Sequence, residues 1–182
     1  MKNLLNNSLP LVSVIVPCRN EEKFIEKCFD SIVSQDYPNE KLEILIVDGM
    51  SEDKTREILK EYQKKYLFIK VLDNLEKIAP IALNIGIKIA NGEIIIRMDS
   101  HATYDKKYIS KCVKYLIENN ADNVGGTMVT LPENNSLTAR AIALALSHPF
   151  GVGNSHFRMA TKKLKSVDTV FGGCYRNEIY DE

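Results

Sequence analysis

Apolar residues recur in this chain in two alternating rhythms. Short β-branched runs at residues 12–16, 42–47, 68–72 and 93–98 predict buried strands. Between them, apolar positions return at helical spacing. Phe24, Ile25, Cys28, Phe29, Ile32 and Val33 make one face of a helix over 21–35. Tyr37-Pro38-Asn39 reads as a turn. Ser51, ahead of Glu52 and Asp53, suits a helix N-terminus, and Ile58, Leu59 and Tyr62 continue that helix. Residues 78–90 predict a helix closed by Gly92. Residues 105–118 predict another, with Tyr108, Ile109, Cys112, Val113, Leu116 and Ile117 facing the core.

The rhythm is looser in the last third. A strand is expected over 123–131, with Gly125 and Gly126 inside it, and a helix of small apolar residues over 136–146. Residues 147–166 read as a long loop, 167–171 as a final strand, and a helix is expected from about Tyr175, after Gly172-Gly173. Strands alternating with helices imply an α/β fold: a mostly parallel, Rossmann-like sheet with helices on both faces and right-handed crossovers. Across 182 residues with 45% hydrophobic content, this is one domain with a substantial core.

Charge narrows the function. Lys plus Arg number 24 and Asp plus Glu number 24, so broad electrostatic binding to nucleic acid is not expected. A local cationic pocket for a phosphorylated small molecule remains open. Cys18, Cys28, Cys112 and Cys174 are scattered without a Cys-x-x-Cys pair, which favours reduced thiols in the cytoplasm. The leucines near the N-terminus are interrupted by Asn6, Asn7 and Pro10, so no signal peptide is expected. The uncharged stretch 141–157 is too short and too polar to span a membrane.

Chemistry-bearing residues gather just after predicted strands. Arg19-Asn20-Glu21-Glu22 follows the first, Asp48-Gly49-Met50-Ser51 the second, and Asp99-Ser100-His101 the fourth. In a doubly wound sheet these loops converge on the carboxyl edge, where such folds bind ligands. Asp99 and His101 are expected to point the same way, because strand side chains repeat every two residues, and so to share one divalent cation.

These residues resemble family 2 glycosyltransferases, which have the GT-A fold and use nucleotide-sugar donors. The resemblance runs through Val12-Ser13-Val14-Ile15-Val16-Pro17, Arg19-Asn20-Glu21, Ser31-Ile32-Val33-Ser34-Gln35 and the segment from Val47 to Thr55. It continues through Ala82-Leu83-Asn84-Ile85-Gly86-Ile87, Ala90-Asn91-Gly92-Glu93 and the Asp99 motif. Asp-Ser-His-Ala, Phe150-Gly151-Val152-Gly153 and the segment 167–172 resemble the subgroup that builds bacterial exopolysaccharides of the succinoglycan type.

The resemblance implies an inverting transferase that moves a sugar from a nucleotide diphosphate, UDP foremost, to a glycan or lipid-linked acceptor in polysaccharide biosynthesis. It implies donor-nucleotide contacts at Pro17, Arg19, Asn20, Glu21, Asp48, Lys77, Arg97 and Asp99. Asp48 would meet the uracil ring; relatives often carry a second acid where this chain has Gly49. The metal motif would be Asp99 with His101, holding Mn2+ or Mg2+, with the imidazole favouring manganese. His148 and His156 are candidates for the acceptor side, and the lysines at 162, 163 and 165 for an anionic lipid or a diphosphate-linked acceptor.

The general base of such enzymes is an acid lying past Gly-Gly-x-Tyr-Arg, here Gly172 to Arg176. By this alignment it falls beyond Glu182, so no catalytic base is expected within the chain, which reads as a truncated glycosyltransferase domain over 1–182. A longer form would work in the cytoplasm or at the inner membrane face. The alternatives are a nucleotide-sugar-binding module without turnover and a sugar-phosphate nucleotidyltransferase. The second lacks the expected glycines around Pro17-Cys18-Arg19-Asn20, and no Gly-x-Gly-x-x-Gly marks a dehydrogenase.

Overall fold

The structure, a computed structural model, describes residues 9–153, 155–159 and 164–180. Its centre is a six-stranded sheet in the order β3-β2-β1-β4-β6-β5. The strands are β1 Val12–Cys18, β2 Leu42–Asp48, β3 Ile69–Asp73, β4 Ile94–Arg97, β5 Asn123–Val124 and β6 Cys174–Arg176. The helices are α1 Ile25–Val33, α2 Thr55–Lys65, α3 Ala79–Ile89, α4 Tyr108–Glu118, α5 Leu137–Ala145 and α6 Pro149–Val152. The first four strands pair in parallel, whereas β6 is antiparallel to both β4 and β5.

Alternation along the strands builds two cores. Val12, Val14, Val16, Ile44, Ile46, Ile94 and Ile96 pack against Ile25, Phe29, Leu59, Ile109 and Leu116 from α1, α2 and α4. Ile15, Val47 and Ile95 face the other way, towards Ala82 of α3. That helix lies very close to the sheet at Gly86, where an added Cβ would fall 2.5 Å from the Ile15 side chain.

The chain moves outward from β1 to β2 and β3, then crosses to the other side of β1 to form β4. This reversal opens a crevice at the carboxyl ends of β1 and β4. Their pairing ends at Ile15 and Arg97, so Pro17 and Cys18 stand beyond it on the crevice wall.

The last third differs from the sequence reading. The strand expected over 123–131 is confined to Asn123–Val124, and no strand forms over 167–171. Gly125 instead comes so close to Val170 and Phe171 that a Cβ would overlap both. Residues 174–176 form a strand rather than the start of a helix. Gly172 and Gly173, at φ +75° and +84°, redirect the chain so that Cys174, Tyr175 and Arg176 pair with Ile96, Ile95 and Ile94. The free edge of β4 needs backbone partners, and that tertiary demand outweighs the local helical pattern. The long loop contains α6 and a short 3-10 turn at His156–Arg158.

Candidate active site

Hydrogen bonds tie the loop after β1 to the loop after β2. The Asn20 N–H donates to Ser51 Oγ at 2.9 Å, and Asn20 Oδ1 accepts from the Glu52 N–H at 2.9 Å. The Glu21 N–H donates to Thr55 Oγ1 at 2.8 Å, and that of Glu22 to Asp53 Oδ2 at 3.1 Å. The side chains of Ser51, Asp53 and Thr55 thus hold backbone donors on the neighbouring loop. Partial burial raises the Asp53 pKa, but hydrogen bonds from Thr55 and Glu22 outweigh it and leave the carboxyl below its ordinary value. The helix begins at Thr55, so Ser51 is a cross-loop anchor rather than its N-cap.

Left-handed backbone gathers at the same rim. Asn20, Met50 and Lys77, at φ +54°, +56° and +60°, follow β1, β2 and β3. Asn tolerates this region, but a Met or Lys there costs about 1 kcal/mol or more. Three such residues around one opening are the backbone signature of a site held in shape by its surroundings.

The opening is a cleft of about 260 Å³. Pro17, Arg19, Glu21, Lys77, Arg97, Asp99 and His101 all line it, so residues far apart in sequence meet around one opening. Asn20 and Asp48 do not. Asn20 is the staple already described. Asp48 is fully buried beneath the floor, and its carboxylate accepts from the Ser51 N–H at 3.2 Å, from the Ser51 hydroxyl and from Arg56, whose Nη1 lies 3.2 Å away. The Cys18 thiol approaches it at 3.9 Å, and burial first, then the Asp48 charge, pushes that thiol's pKa up. In this arrangement the Asp48 carboxylate holds a loop and does not reach the cleft. A donor filling the cleft would meet Gly49 instead.

Asp99 is also held in place. β4 ends at Arg97, and residues 100–101 form a turn. Asp99 and His101 therefore share the cleft through that turn, not through strand alternation. The Tyr104 hydroxyl explains the early end of the strand: it accepts the Asp99 N–H and donates to the Asp99 carbonyl at 3.2 Å. The Cys28 thiol, its pKa pushed up to about 12 mainly by burial, also donates to that carbonyl. Arg97 Nε meets Asp99 Oδ1 at 3.0 Å, leaving Oδ2 for another partner. His101 Nδ1 lies 3.2 Å from Glu21 Oε1, leaving Nε2 available.

Glu21, Asp99 and His101 supply oxygen and imidazole donors on one wall. Among the described residues no cluster of three or more His, Cys, Asp or Glu side chains is arranged to hold a metal ion by itself. That pattern suits an ion bound by one or two side chains and completed by phosphate oxygens. Cations stand nearby. Glu52 on the rim reaches Arg19 at 3.9 Å and Lys77 at 3.5 Å, and Arg97 lies beside Asp99. A diphosphate entering here would meet three cations and could displace the exposed Glu52.

The sequence reading missed Arg56, which links Asp48 to Asp73 across the ends of β2 and β3, and Tyr104, which fixes Asp99. Neither lies in a strand-end cluster, and only their contacts distinguish them. Of the acceptor candidates, His148 caps α6 by accepting the Phe150 N–H, while His156 lines a second cavity of about 540 Å³ between α4, β5 and residues 164–170. Lys162 and Lys163 lie outside the described residues.

The model of glycosyl transferase family 2 matches residues 13–181. A dolichyl N-acetyl-alpha-D-glucosaminyl phosphate 3-beta-D-2,3-diacetamido-2,3-dideoxy-beta-D-glucuronosyltransferase of Methanococcus voltae is 36% identical over 168 residues, which are 88% of this chain and 51% of that protein. Glycosyltransferase AglE of Haloferax volcanii is 31% identical over 138 residues, or 75% and 45% of the two chains. The chain spans about half the length of these curated relatives. The solved mannosyltransferase PcManGT of Pyrobaculum calidifontis, in complex with GDP-Man and Mn2+, aligns with a TM-score of 0.68 at 24% identity, covering 97% of this chain and 47% of its own. Staphylococcus aureus TarS 1-349 with UDP-GlcNAc gives 0.62 at 24% identity, covering 93% and 46%. At that identity the likeness to the solved structures is one of fold.

Proposed function

The chain belongs to glycosyl transferase family 2 and has the GT-A fold, and we propose that it transfers a sugar from a nucleoside-diphosphate sugar to a glycan or lipid-linked acceptor. The observation that carries this reading is the cleft at the β1/β4 reversal, where Arg19, Lys77 and Arg97 gather with Glu21, Asp99 and His101. The donor is a UDP-sugar and the transfer inverts the anomeric centre, in the manner of exopolysaccharide synthesis. The acceptor in the Methanococcus voltae relative is named as a dolichyl phosphate sugar, which supports a lipid-linked acceptor here.

Asp99 and His101, with Glu21 beside them, would hold Mn2+ or Mg2+; the relative in fold PcManGT carries Mn2+. Such an ion offsets negative charge on the departing diphosphate. The protein's own residues do the rest. Arg97 orients Asp99 and, with Arg19 and Lys77, draws the diphosphate in. Arg56 and Ser51 hold Asp48, which fixes the loop at Gly49 against the nucleotide. Four buried free thiols fit a reducing, cytoplasmic setting. Among the described residues no helix is long and apolar enough to cross a membrane.

Calorimetric titration of UDP with Mn2+, and again with EDTA, tests the reading. Binding that requires the metal is expected. No binding in either condition would remove the nucleotide-diphosphate assignment.

A further inference from the structure

Helix α5 does not fit a water-facing surface. Ser136 caps it, its hydroxyl accepting the Ala139 N–H at 3.2 Å, so the helix is properly begun. Yet only Ala143 is buried. Leu137 is 83% exposed and Leu144 67%, and Arg140 lies between them on the same face, at the i, i+3, i+7 spacing. Ile142 and Leu146 are exposed beside it, and just beyond, Phe150 stands 97% exposed on α6. Helices with this much apolar surface are normally covered.

The charge pattern indicates what covers it. Between Glu133 and Asp168 there is no acidic residue, but there are five cations: Arg140, Arg158, Lys162, Lys163 and Lys165. The chain balances 24 basic against 24 acidic residues, so this one segment is five charges positive and the rest is five negative. Neutrality over the whole chain conceals one basic, largely apolar segment. A second copy is a poor occupant, because a twofold contact would set these cations against themselves. An anionic bilayer suits both properties: the apolar side chains enter the acyl boundary while the cations meet lipid phosphates.

We propose that α5 and α6, led by Leu137, Leu144 and Phe150 with Arg140 among them, form a surface that docks on anionic membrane lipid. It is separate from the nucleotide cleft, with which it shares no residue. Docking there would keep a transferase beside acceptors carried in the bilayer.

Flotation of the full chain with vesicles tests this without nucleotide or metal, so its outcome is independent of the UDP titration. Vesicles of phosphatidylglycerol with phosphatidylcholine should capture the protein, those of phosphatidylcholine alone should not, and high salt should release it. Arg140→Gln should lower partitioning about fivefold, and Phe150→Ser about tenfold, each with an unchanged circular dichroism spectrum. Should Phe150→Ser misfold, Arg140→Gln alone decides. No capture, equal capture by neutral vesicles, or variants that bind like the parent would overturn the proposal. So would a dimer in light scattering that Phe150→Ser dissociates, which would assign the surface to a second copy.

Discussion

Strand β2 carries a buried acid near each end, and the two ends of the sheet use them differently. At the amino end, Glu43 accepts from the Ser13 hydroxyl at 2.6 Å, the Asn91 N–H at 2.9 Å, the Asn91 side chain at 2.8 Å and Lys70 at 2.9 Å. Ser13 in turn accepts the Gly92 N–H at 2.9 Å. The network is closed, and none of its residues lines either of the two cavities described above. At the carboxyl end, Asp48 is buried more deeply still, but its partners Ser51 and Arg56 belong to a loop and helix whose neighbours surround an open cleft. The rim has left-handed residues and cations that one exposed glutamate shares. Similar residues thus fasten one end and ready the other for a ligand. What separates them is whether every polar group already has its partner inside the protein.

Asp99→Asn should break the comparison most sharply. It removes charge from the open end, and UDP affinity in Mn2+ should fall about a hundredfold, with little change in Tm. Equal affinity in variant and parent, measured by calorimetry, would remove Asp99 from the metal site. Glu43→Gln should do the reverse. Losing the charged acceptor of several hydrogen bonds costs about 2 kcal/mol, a fall in Tm of about 6 °C, while UDP affinity holds. A cleft weakened as much as the fold would mean that the two ends are not separable.

pH sharpens the same contrast. Burial by itself raises the Glu43 pKa, but the hydrogen bonds from Asn91, Ser13 and Lys70 outweigh it and bring it from 4.5 to about 2. The folded pKa lies below the unfolded one. Its stabilisation is therefore present above pH 4.5 and is lost as pH falls towards 2. Urea midpoints across that window should fall more steeply for the parent than for Glu43→Gln; parallel curves would refute the assignment. The smallest effect is expected at Tyr104→Phe, which removes a hydroxyl from the Asp99 backbone. A rise of about fivefold in the Mn2+ concentration needed for UDP binding is expected, with affinity restored at saturating metal. A variant with unchanged metal dependence would make Tyr104 a packing residue only.

Much of the nucleotide side could be read directly from the chain. β1, β2 and β4 are strongly β-branched, and their loops carry Arg19, Asp48 and Asp99, so strand order and crossover rules are enough to bring these loops to one edge. The particular tasks were less legible. Asp48 and Asp99 are both acids after strands, yet one is sealed under Arg56 and Ser51 and the other faces the cleft. No local pattern distinguishes them, because burial depends on what packs above. The last third was least legible. Residues 167–171 look more like a strand than 174–176 do, yet β6 forms at 174–176, where the exposed edge of β4 offers hydrogen bonds.

The sequence by itself determined the α/β alternation, the parallel half of the sheet and the family, since periodicity, turn residues and motif order are local or follow from chirality. It also determined the charge division that sets residues 134–167 apart. Only the tertiary structure decided the antiparallel β6, the sealing of Asp48, the turn that brings His101 to Glu21 and the exposure of α5. Each depends on which groups from distant segments satisfy or cover one another, and that pairing is a property of the packed chain.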